Sequence, residues 1–386
     1  MRRLIARARQ TASIWRRTGR HRLLLASSAG RALMLQHAET MLPRKLARSG
    51  APAQTASAAL VGRIAAAFVA AGGAEDNAGR SMWSEFARRN RRLIAALGEG
   101  RIDEAAAILA NPVAHEQLYG FDALTASIST GAERVDPKWL ALGAADALLR
   151  LAEATGAVRC FNQETVLYRR PRQYDVEATL AALDRRFGFR VDFPNPYAGE
   201  VGIATARGIA SYRALPALYQ SFAATRLLRP GARVLEIGAG LGRGAYYARA
   251  MGVGQYVLVD LPLTAACQAH FLGSVLGEDA LSLHNETPRA IHIATPADFL
   301  EGRLGDFDLV VNVDSMTEMD PHHARAYWQA IKRHAGLLLS INHEANPFSV
   351  RELIEADPDV AEASRTPAWM RRGYVEEVVR FQKPHG

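Results

Sequence analysis

One short stretch of the chain combines an apolar strand, closely spaced glycines and an acidic residue. Residues 234–237 read Val-Leu-Glu-Ile, and glycines follow at 238, 240, 242 and 244. Glycines in a turn between a strand and a helix let the backbone bend tightly and let a nucleotide approach closely. The dinucleotide fingerprint needs its third glycine at position 243, where this chain has Arg243. The acid before the glycines disfavours a pyrophosphate and suits a cationic ligand such as S-adenosylmethionine. An ordinary tight turn remains the alternative. The residues expected to line the site are Glu236, Gly238, Ala239, Gly240 and Gly242.

A second acid follows the next apolar run. Asp260 ends residues 256–260, lies 22 residues after Gly238 and precedes Leu261. An acid at this place in a nucleotide-binding α/β fold can accept hydrogen bonds from both ribose hydroxyls. The alternative is a solvated aspartate at a strand end. We include Asp260 and Leu261 in the expected cofactor site.

Two further strand ends contribute weaker signals. Asp298 and Phe299 follow an apolar run at 291–294, where a carboxylate and a ring could hold an adenine by its amine and its face. A helix N-cap is the competing interpretation of Asp298. Asn312 is the penultimate residue of the run at 308–313 and is also assigned to the cofactor site.

The residues after Asn312 are candidates for catalysis. Asp314 and Glu318 follow a strand, and ligands of open α/β sheets bind at the carboxyl ends of strands. His343 follows a later strand and is the expected general base, because imidazole titrates near neutrality. An acid-rich helix start and a surface histidine are the respective alternatives. The three side chains could also assemble a Mg²⁺ site, although nothing in their spacing demands a metal.

Contacts to an acceptor are expected from two regions. Residues 192–208 are rich in proline and glycine, which predicts a functional loop. We expect Tyr197, Tyr212 and Arg213, in or near this loop, to close over a substrate. Trp369 and Arg372 could contact a sugar face or an acidic glycan, and an exposed helix end explains them equally well.

The elements that position these residues follow from hydrophobic patterning. Residues 56–160 read as helices, with apolar residues recurring at spacings of three and four. From residue 234 onwards, short apolar strands alternate with helices, which predicts a mostly parallel sheet covered on both faces. The expected strands are 234–237, 256–260, 291–294, 308–313, 337–341 and 375–381.

Length and composition set the broader frame. The chain has 386 residues, 49% of them hydrophobic and 22% charged, which indicates a globular protein of about two domains. Two cysteines exclude a disulfide framework and a cysteine-rich zinc module. We predict four segments: a basic arm at 1–55, a helical domain at 56–190, a linker with a substrate-side loop at 191–229, and a cofactor-binding domain at 230–386.

The positive charge lies in the arm. Twelve of the 47 Lys and Arg residues, but one of the 39 acids, lie in residues 1–50. The remainder is slightly acidic, which disfavours nucleic acid as a partner. The arm is interpreted as a basic tail, an amphipathic helix touching an anionic membrane, or a targeting segment. It lacks the features of an export signal, so we expect a cytoplasmic protein. Arg63 interrupts the alanine-rich run at 56–74, which is predicted to be a packed helix and not a membrane span.

The motifs resemble those of a known family. VLEIGAGLGR followed by YVLVDLP is similar to the class I S-adenosylmethionine-dependent methyltransferases, which have a Rossmann-like fold. The further runs YGFD, FPNPYAGEVG, RGIASYR, DSMTEM, SINHEA and WMRRGYVEEV resemble the sugar O-methyltransferases, over about residues 80–381. The resemblance implies that the glycine turn holds the methionine end of the cofactor, that Asp260 binds ribose, and that Asp298 and Phe299 bind adenine.

The resulting expectation is methyl transfer from S-adenosylmethionine to a hydroxyl of a sugar or glycan. An enzyme of this kind aligns the acceptor oxygen, the methyl group and the sulfur, while a base takes the proton. Three alternatives stay open: methylation of a phenolic or polyketide hydroxyl, a non-catalytic scaffold that binds the nucleotide, and an NAD-dependent oxidoreductase, which Arg243 disfavours. The oligomeric state is not predicted.

Overall fold

The computed structural model describes residues 40–41, 46–50, 56–73, 82–112, 137–160 and 173–382. The chain divides into two compact units. One comprises the described residues of Met1–Leu46 and Asp136–Val191, and the other comprises those of Ala47–Val135 and Asp192–Gly386. The predicted basic arm lies almost wholly outside the described residues, so its expected membrane contact stays a prediction.

The helices and strands are given in chain order. The helices are α1 Ala58–Ala70, α2 Met82–Arg89, α3 Arg91–Gly98, α4 Ile102–Leu109, α5 Pro137–Ala154, α6 Val176–Phe187, α7 Ala214–Thr225, α8 Arg243–Ala250, α9 Pro262–Leu276, α10 Pro296–Leu300, α11 Pro321–His334 and α12 Val350–Ala356. The strands are β1 Thr40–Met41, β2 Leu46–Arg48, β3 Gln173–Tyr174, β4 Val201–Thr205, β5 Gly208–Ser211, β6 Arg233–Ile237, β7 Gln255–Val259, β8 Leu281–Leu283, β9 Ile291–Ala294, β10 Leu309–Val313, β11 Leu337–His343, β12 Val360–Pro367 and β13 Tyr374–Phe381.

The smaller unit pairs two helices with a short sheet. β1 lies parallel to β3, and α5 packs against both α6 and β1. Asp175 begins α6 by accepting a hydrogen bond from the backbone N–H of Ala178, and Gly188 ends it in the left-handed conformation, with φ of 79°. Both ends have a local cause, because aspartate and glycine are preferred helix caps.

The larger unit is built on an eight-stranded sheet in the order β12-β13-β11-β10-β6-β7-β9-β8. The six strands from β11 to β8 pair in parallel, whereas β13 is antiparallel to both of its neighbours. Strands β7, β9 and β8 lie on one side of β6, and the later strands β10 and β11 lie on its other side. The strand order therefore reverses between β6 and β10. Open α/β sheets bind ligands in the crevice outside the carboxyl ends of the strands at such a reversal.

Helices cover both faces of this sheet. One apolar core joins the sheet to α1, α3, α4, α8 and α9, and a second joins its other face to α10, α11 and α12. The strands of the centre are almost wholly buried, as expected of parallel strands between two helical layers. The predicted Rossmann-like, mostly parallel α/β fold is confirmed.

A separate N-terminal helical domain is not confirmed. Helix α1 packs directly against α9, and its side chains Leu60, Ile64 and Phe68 are at most 3% exposed within the core of the sheet unit. The four-segment division therefore stays a prediction. Among the described residues, no helix combines the length and apolar character that crossing a membrane requires.

One sequence prediction in this unit is wrong, and one strand was not predicted. The expected loop at 192–208 contains β4, which forms an antiparallel hairpin with β5 and pairs Ile203 with Ala210. Gly202 lies in this strand, although glycine in a sequence often indicates a turn. The strand requires glycine at this position, because a side chain there would overlap the backbone carbonyl of Ala210. Strand β12 was missed because it is an edge strand with seven of its eight residues exposed, and it therefore lacks apolar alternation.

Candidate functional site

The glycine turn lies where the strand order reverses. It connects β6 to α8, and Gly238, Gly240 and Gly242 have φ of 74°, 58° and 78°, in the left-handed region that favours glycine. A Cβ atom at Gly238 would overlap the side chain of Ser315, which follows the neighbouring strand β10. The two strand ends therefore approach each other closely only because residue 238 has no side chain.

An amide network fixes these strand ends. Asn312 Nδ2 donates hydrogen bonds to the Ile237 carbonyl (3.1 Å) and to Ser315 Oγ (2.6 Å). Asn312 Oδ1 accepts from Asn342 Nδ2 at 2.9 Å, which extends the network to β11. Asn312 is fully buried and holds the strand ends together, and its expected contact with the cofactor stays a prediction.

Glu236 lies behind the glycine turn. Its carboxylate is 4% exposed and accepts a hydrogen bond from the Tyr256 hydroxyl at 2.9 Å. A Cβ atom added at Gly244 would lie 3.0 Å from Glu236 Oε2, which places the carboxylate against the first turn of α8. Burial raises the pKa of Glu236 to about 7, the hydrogen bond from Tyr256 acts in the opposite direction, and the charge of Asp260 adds to the rise.

Asp260 follows β7 and has a similar environment. The backbone N–H of Leu261 donates to its Oδ1 at 2.9 Å, and Gln268 Nε2 donates to its Oδ2 at 2.7 Å. Burial raises the pKa of Asp260 to about 7 despite these hydrogen bonds. Among the described residues, no basic side chain forms an ion pair with Glu236 or Asp260. Two acidic groups are thus held near the glycine turn without a positive partner.

A cleft with mainly apolar walls opens beside Asp260. The polar contributions come from Asp260, His284 and Thr295, and the remainder is aliphatic or aromatic. The apolar lining is Ile64, Ala67, Phe68, Ala71, Pro262, Ala265, Ala266, Ala269, Leu283, Ile293 and Ala294. One wall therefore comes from α1, which the sequence assigned to another domain, and the lining places a carboxylate beside an apolar surface.

Hydrogen bonds hold this wall against the sheet unit. Arg63, on α1, donates from Nε and Nη2 to the two carboxylate oxygens of Glu286, both at 2.7 Å. Its Nη1 donates to the Glu278 carbonyl at 2.9 Å. His284 Nε2 lies 2.8 Å from the Ala67 carbonyl. Arg63, which interrupts the alanine-rich run in the sequence, is therefore the anchor of the helix.

Asp298 and Phe299 were expected to hold the adenine, but neither of them lines this cleft. Asp298 completes a capping box with Thr295, whose backbone N–H and hydroxyl both donate to Asp298 Oδ2, and Arg303 donates to its Oδ1. Phe299 is fully buried and packs against Phe307 in the second core. The competing helix-cap interpretation describes Asp298 better, and Phe299 has no free face for an adenine.

A buried ion pair next to the glycine turn was not predicted. Arg243 begins α8 and lies 2.8 Å from Glu200, which precedes β4. The two residues are 6% and 2% exposed, and Glu200 Oε2 has no hydrogen-bond partner among the described residues. The one sequence feature that points to this pair is an arginine at the position where a dinucleotide site needs glycine.

The acidic residues after β10 form the centre of a second cluster. Asp314 has φ of 56°, the one positive φ of a non-glycine residue within the described ranges, and backbone strain of this kind is concentrated at functional sites. Arg371 Nη1 donates to its Oδ2 at 2.9 Å, and the Tyr374 hydroxyl donates to its Oδ1 at 3.0 Å. Tyr374 was not predicted, because it lies 60 residues further along the chain.

Glu318 and His343 complete this cluster. One ligand atom of each lies within 4.8 Å of the others and of Asp314. His343 Nε2 is 3.7 Å from Asp314 Oδ1, and its Nδ1 accepts a hydrogen bond from the backbone N–H of Ala345 at 3.2 Å. The structure thus brings together all three residues that the sequence nominated for catalysis.

These residues do not fit Mg²⁺. Asp314 Oδ2 already accepts a hydrogen bond from Arg371, and Arg213 Nη1 lies 4.0 Å from the same oxygen. Two guanidinium groups at this distance would repel a divalent cation. Mg²⁺ also prefers an octahedral set of oxygen ligands, whereas His343 offers nitrogen.

The residues nominated for acceptor binding separate into two groups. Tyr212 is 42% exposed and lies beside Arg213, which reaches the Asp314 cluster. Trp369 is 49% exposed and shares the turn between β12 and β13 with Arg371 and the exposed Arg372. Tyr197, by contrast, is 1% exposed, with its ring stacked on His270 and its hydroxyl 3.2 Å from His270 Nδ1. Tyr197 is therefore a core residue and not a wall of the acceptor site.

Comparison with known proteins gives limited similarity. No protein-family model and no curated protein matches the chain. Among solved structures, Thermoplasma acidophilum 1320 is 15% identical, covering 46% of this chain and 91% of that chain with a TM-score of 0.31. Magnesium protoporphyrin IX methyltransferase (ChlM) from Synechocystis PCC 6803 with bound SAM is 15% identical over 43% and 77%, with a TM-score of 0.31. The glycopeptide N-methyltransferase MtfA is 17% identical over 43% and 90%, with a TM-score of 0.34.

Proposed function

We propose that the protein is an S-adenosylmethionine-dependent O-methyltransferase that acts on a hydroxyl of a sugar or glycan. The observation that carries the proposal is the pair of buried carboxylates, Glu236 and Asp260, whose hydrogen-bond partners are neutral and whose pKa values burial raises to about 7. Such groups favour a ligand that brings positive charge and hydroxyl donors. S-adenosylmethionine carries an ammonium, a sulfonium and a ribose diol.

The crevice at the glycine turn and the apolar cleft would bind different parts of the cofactor. The turn at Gly238, Ala239, Gly240 and Gly242 would hold the methionine end, with Glu236 supplying negative charge from behind it. Asp260 would accept hydrogen bonds from the ribose, and the apolar cleft that α1 completes would hold the adenine. The bound cofactor supplies an electrophilic methyl group, and the chain supplies alignment and a base.

The acceptor is assigned to the Asp314 cluster. A hydroxyl is a weak acid, and this cluster places carboxylates beside the turn that would hold the methyl donor. Exposed aromatic rings at Tyr212 and Trp369 offer the apolar faces on which sugars stack. The sugar class is also what the resemblance of the flanking motifs implies. A cytoplasmic location and the absence of a nucleic-acid partner remain part of the proposal.

Calorimetric titration tests the cofactor. The full-length protein is titrated with S-adenosylmethionine, S-adenosylhomocysteine and NAD⁺, and the same titrations are made on Asp260→Ala. We expect micromolar binding of the two adenosyl ligands, loss of that binding in the variant, and no binding of NAD⁺. A folded protein that binds neither adenosyl ligand would refute the proposal, and binding of NAD⁺ would replace it with an oxidoreductase.

A matched control distinguishes loss of the site from loss of the fold. Asp308 also lies at a strand end of the same sheet, where it accepts a hydrogen bond from the backbone N–H of Arg233 at 2.7 Å and is exposed to solvent. We expect Asp308→Ala to bind S-adenosylhomocysteine as the wild type does. Equal loss in both variants would mean that the effect of Asp260→Ala is structural.

A further inference from the structure

Three ionisable side chains lie in the proposed acceptor site, and they differ in the hydrogen bonds that they already make. Asp314, Glu318 and His343 lie within 4.8 Å of one another at the carboxyl ends of β10 and β11. A general base needs a free lone pair directed at the acceptor. The hydrogen bonds of each candidate therefore decide between them.

Asp314 is engaged on both oxygens. Arg371 donates to its Oδ2, and the Tyr374 hydroxyl lies 3.0 Å and 3.2 Å from its two oxygens. Arg213 Nη1 adds positive charge at 4.0 Å from Oδ2. Both oxygens of Asp314 are therefore already engaged by donors, which hold the carboxylate in place.

His343 is held in the wrong tautomer. Because its Nδ1 accepts the backbone N–H of Ala345, the neutral ring carries its proton on Nε2. That nitrogen faces Asp314 Oδ1 at 3.7 Å. His343 in this position is a donor toward the cluster and has no lone pair there to receive a proton.

Glu318 is the remaining candidate. Its carboxylate has neither a hydrogen bond nor an ion pair with any residue in the described part of the chain, and the side chain is partly buried in the short 3₁₀ turn after β10. We propose that Glu318 is the general base that removes the proton of the acceptor hydroxyl, a role that rests on the proposed function.

The proton transfer balances with methyl transfer. The hydroxyl oxygen forms a bond to the methyl carbon as the carbon–sulfur bond breaks, its proton passes to a Glu318 oxygen, and the electron pair of the broken bond stays on sulfur. Glu318 returns the proton to solvent before the next turnover. His343 and Asp314 act as positioning residues that hold donors and charge around the acceptor.

The electrostatic environment supports this role. Burial and the charge of Asp314 raise the pKa of Glu318 to about 7, although Arg213 and Arg371 act in the opposite direction. The imidazole of His343 also faces the carboxylate. A base with a pKa near the working pH combines availability with proton affinity. The rate of methyl transfer is therefore expected to rise with pH through about 7.

Infrared titration of the ligand-free full-length protein tests the basicity without any acceptor. The difference between wild type and Glu318→Gln isolates one carboxyl band. We expect its protonation midpoint near pH 7, and we expect Asp314→Asn to move that midpoint to lower pH because it removes a neighbouring negative charge. A midpoint at the ordinary value of glutamate, about 4.3, would overturn the proposal.

Methyl transfer to a panel of methyl glycopyranosides of hexoses and 6-deoxyhexoses tests the catalytic role. We expect Glu318→Gln to lower kcat by about 10²–10⁴-fold and to abolish the rise through pH 7, while His343→Gln costs less than about tenfold. Glu344→Gln is the matched control, since Glu344 is an exposed neighbour paired with Arg365. A loss in His343→Gln equal to that in Glu318→Gln would overturn the assignment.

Binding of S-adenosylhomocysteine separates the two levels of failure. If wild type does not bind it, the proposed function of the whole site is wrong. If Glu318→Gln binds it normally and still transfers methyl groups at the wild-type rate, the function stands and the base is another group.

Discussion

On the cofactor side of the candidate site, the glycine turn and both buried carboxylates come from one stretch of chain, residues 236–260, whereas the acceptor side draws Arg213, Asp314, His343 and Arg371 from four separate segments. The first depends on backbone geometry, since its glycines adopt positive φ and its carboxylates are buried beside them. The second depends on side chains that meet across the sheet. Replacing a glycine on the first side should therefore act through steric overlap, and replacing a charged residue on the second side should act through the loss of an ion pair.

The largest effect is expected from Gly238→Ala. The added methyl group would overlap Ser315 and would force a left-handed φ on alanine, with the backbone alone costing about 1–3 kcal/mol. We expect loss of S-adenosylhomocysteine binding by calorimetry and a lower free energy of unfolding. Gly231→Ala is the control, because Gly231 also has positive φ, of 80°, but nothing lies within 4 Å of its Cβ position. Equal losses in both variants would show that strain, and not contact with β10, sets the effect.

Arg371→Met is expected to have the next largest effect, and it acts on the acceptor side. It leaves Asp314, whose side chain is 19% exposed, without its closest cation, and losing one member of a partly buried charged pair is costly. We expect methyl transfer to fall by about 10²-fold while S-adenosylhomocysteine binding is unchanged. Arg380→Met is the control, since Arg380 forms an exposed pair 3.7 Å from Glu362. Weakened cofactor binding in Arg371→Met would mean that the two sides are not separable.

The pH dependence of stability and of cofactor affinity should report the titration of the two buried carboxylates on the cofactor side. The folded pKa values of Glu236 and Asp260, both about 7, lie above those of the unfolded chain. The folded protein therefore binds more protons between about pH 4.5 and 7, and its stability falls as pH rises through that window. Affinity for S-adenosylmethionine should change in the opposite direction, because the ligand favours both charged carboxylates. Denaturant unfolding and calorimetry across pH 4.5–8 measure the two trends.

Glu236→Gln sharpens this test, because an amide keeps an acceptor for Tyr256 but does not titrate. We expect a flatter dependence of stability on pH in this variant. An unchanged slope would show that Glu236 is ionised in the folded protein at low pH.

Arg63→Met should have the smallest effect of the set. Arg63 is 27% exposed, so its ion pair with Glu286 is partly screened by solvent. We expect a loss of about 1 kcal/mol in unfolding free energy and a several-fold weaker affinity for S-adenosylhomocysteine, because α1 forms one wall of the cleft. Arg92→Met removes a more exposed pair with Glu104 and should leave the affinity unchanged. Unaltered binding in Arg63→Met would exclude α1 from the site.

The same contrast explains what could be predicted from the sequence. The six expected strands and the turn at Gly238 were found because parallel strands are apolar runs and because positive φ demands glycine. Arg371 and Tyr374 could not be placed beside Asp314, because register across β11 and β13 is set by tertiary pairing. Asp298 and Phe299 were matched by position alone. In the structure Asp298 caps a helix and Phe299 packs in the core.

The buried pair of Glu200 and Arg243 constrains how this sequence can diverge. Each residue is almost wholly buried, so replacing one alone strands a charge in the core and costs about 3–5 kcal/mol, whereas replacing both with apolar residues of similar volume is tolerated. Every single-substitution path away from the pair passes through an unstable intermediate. In descendants of this chain, the two positions should therefore be retained together or exchanged together, which makes them a covarying mark that links the β4 hairpin to the glycine turn.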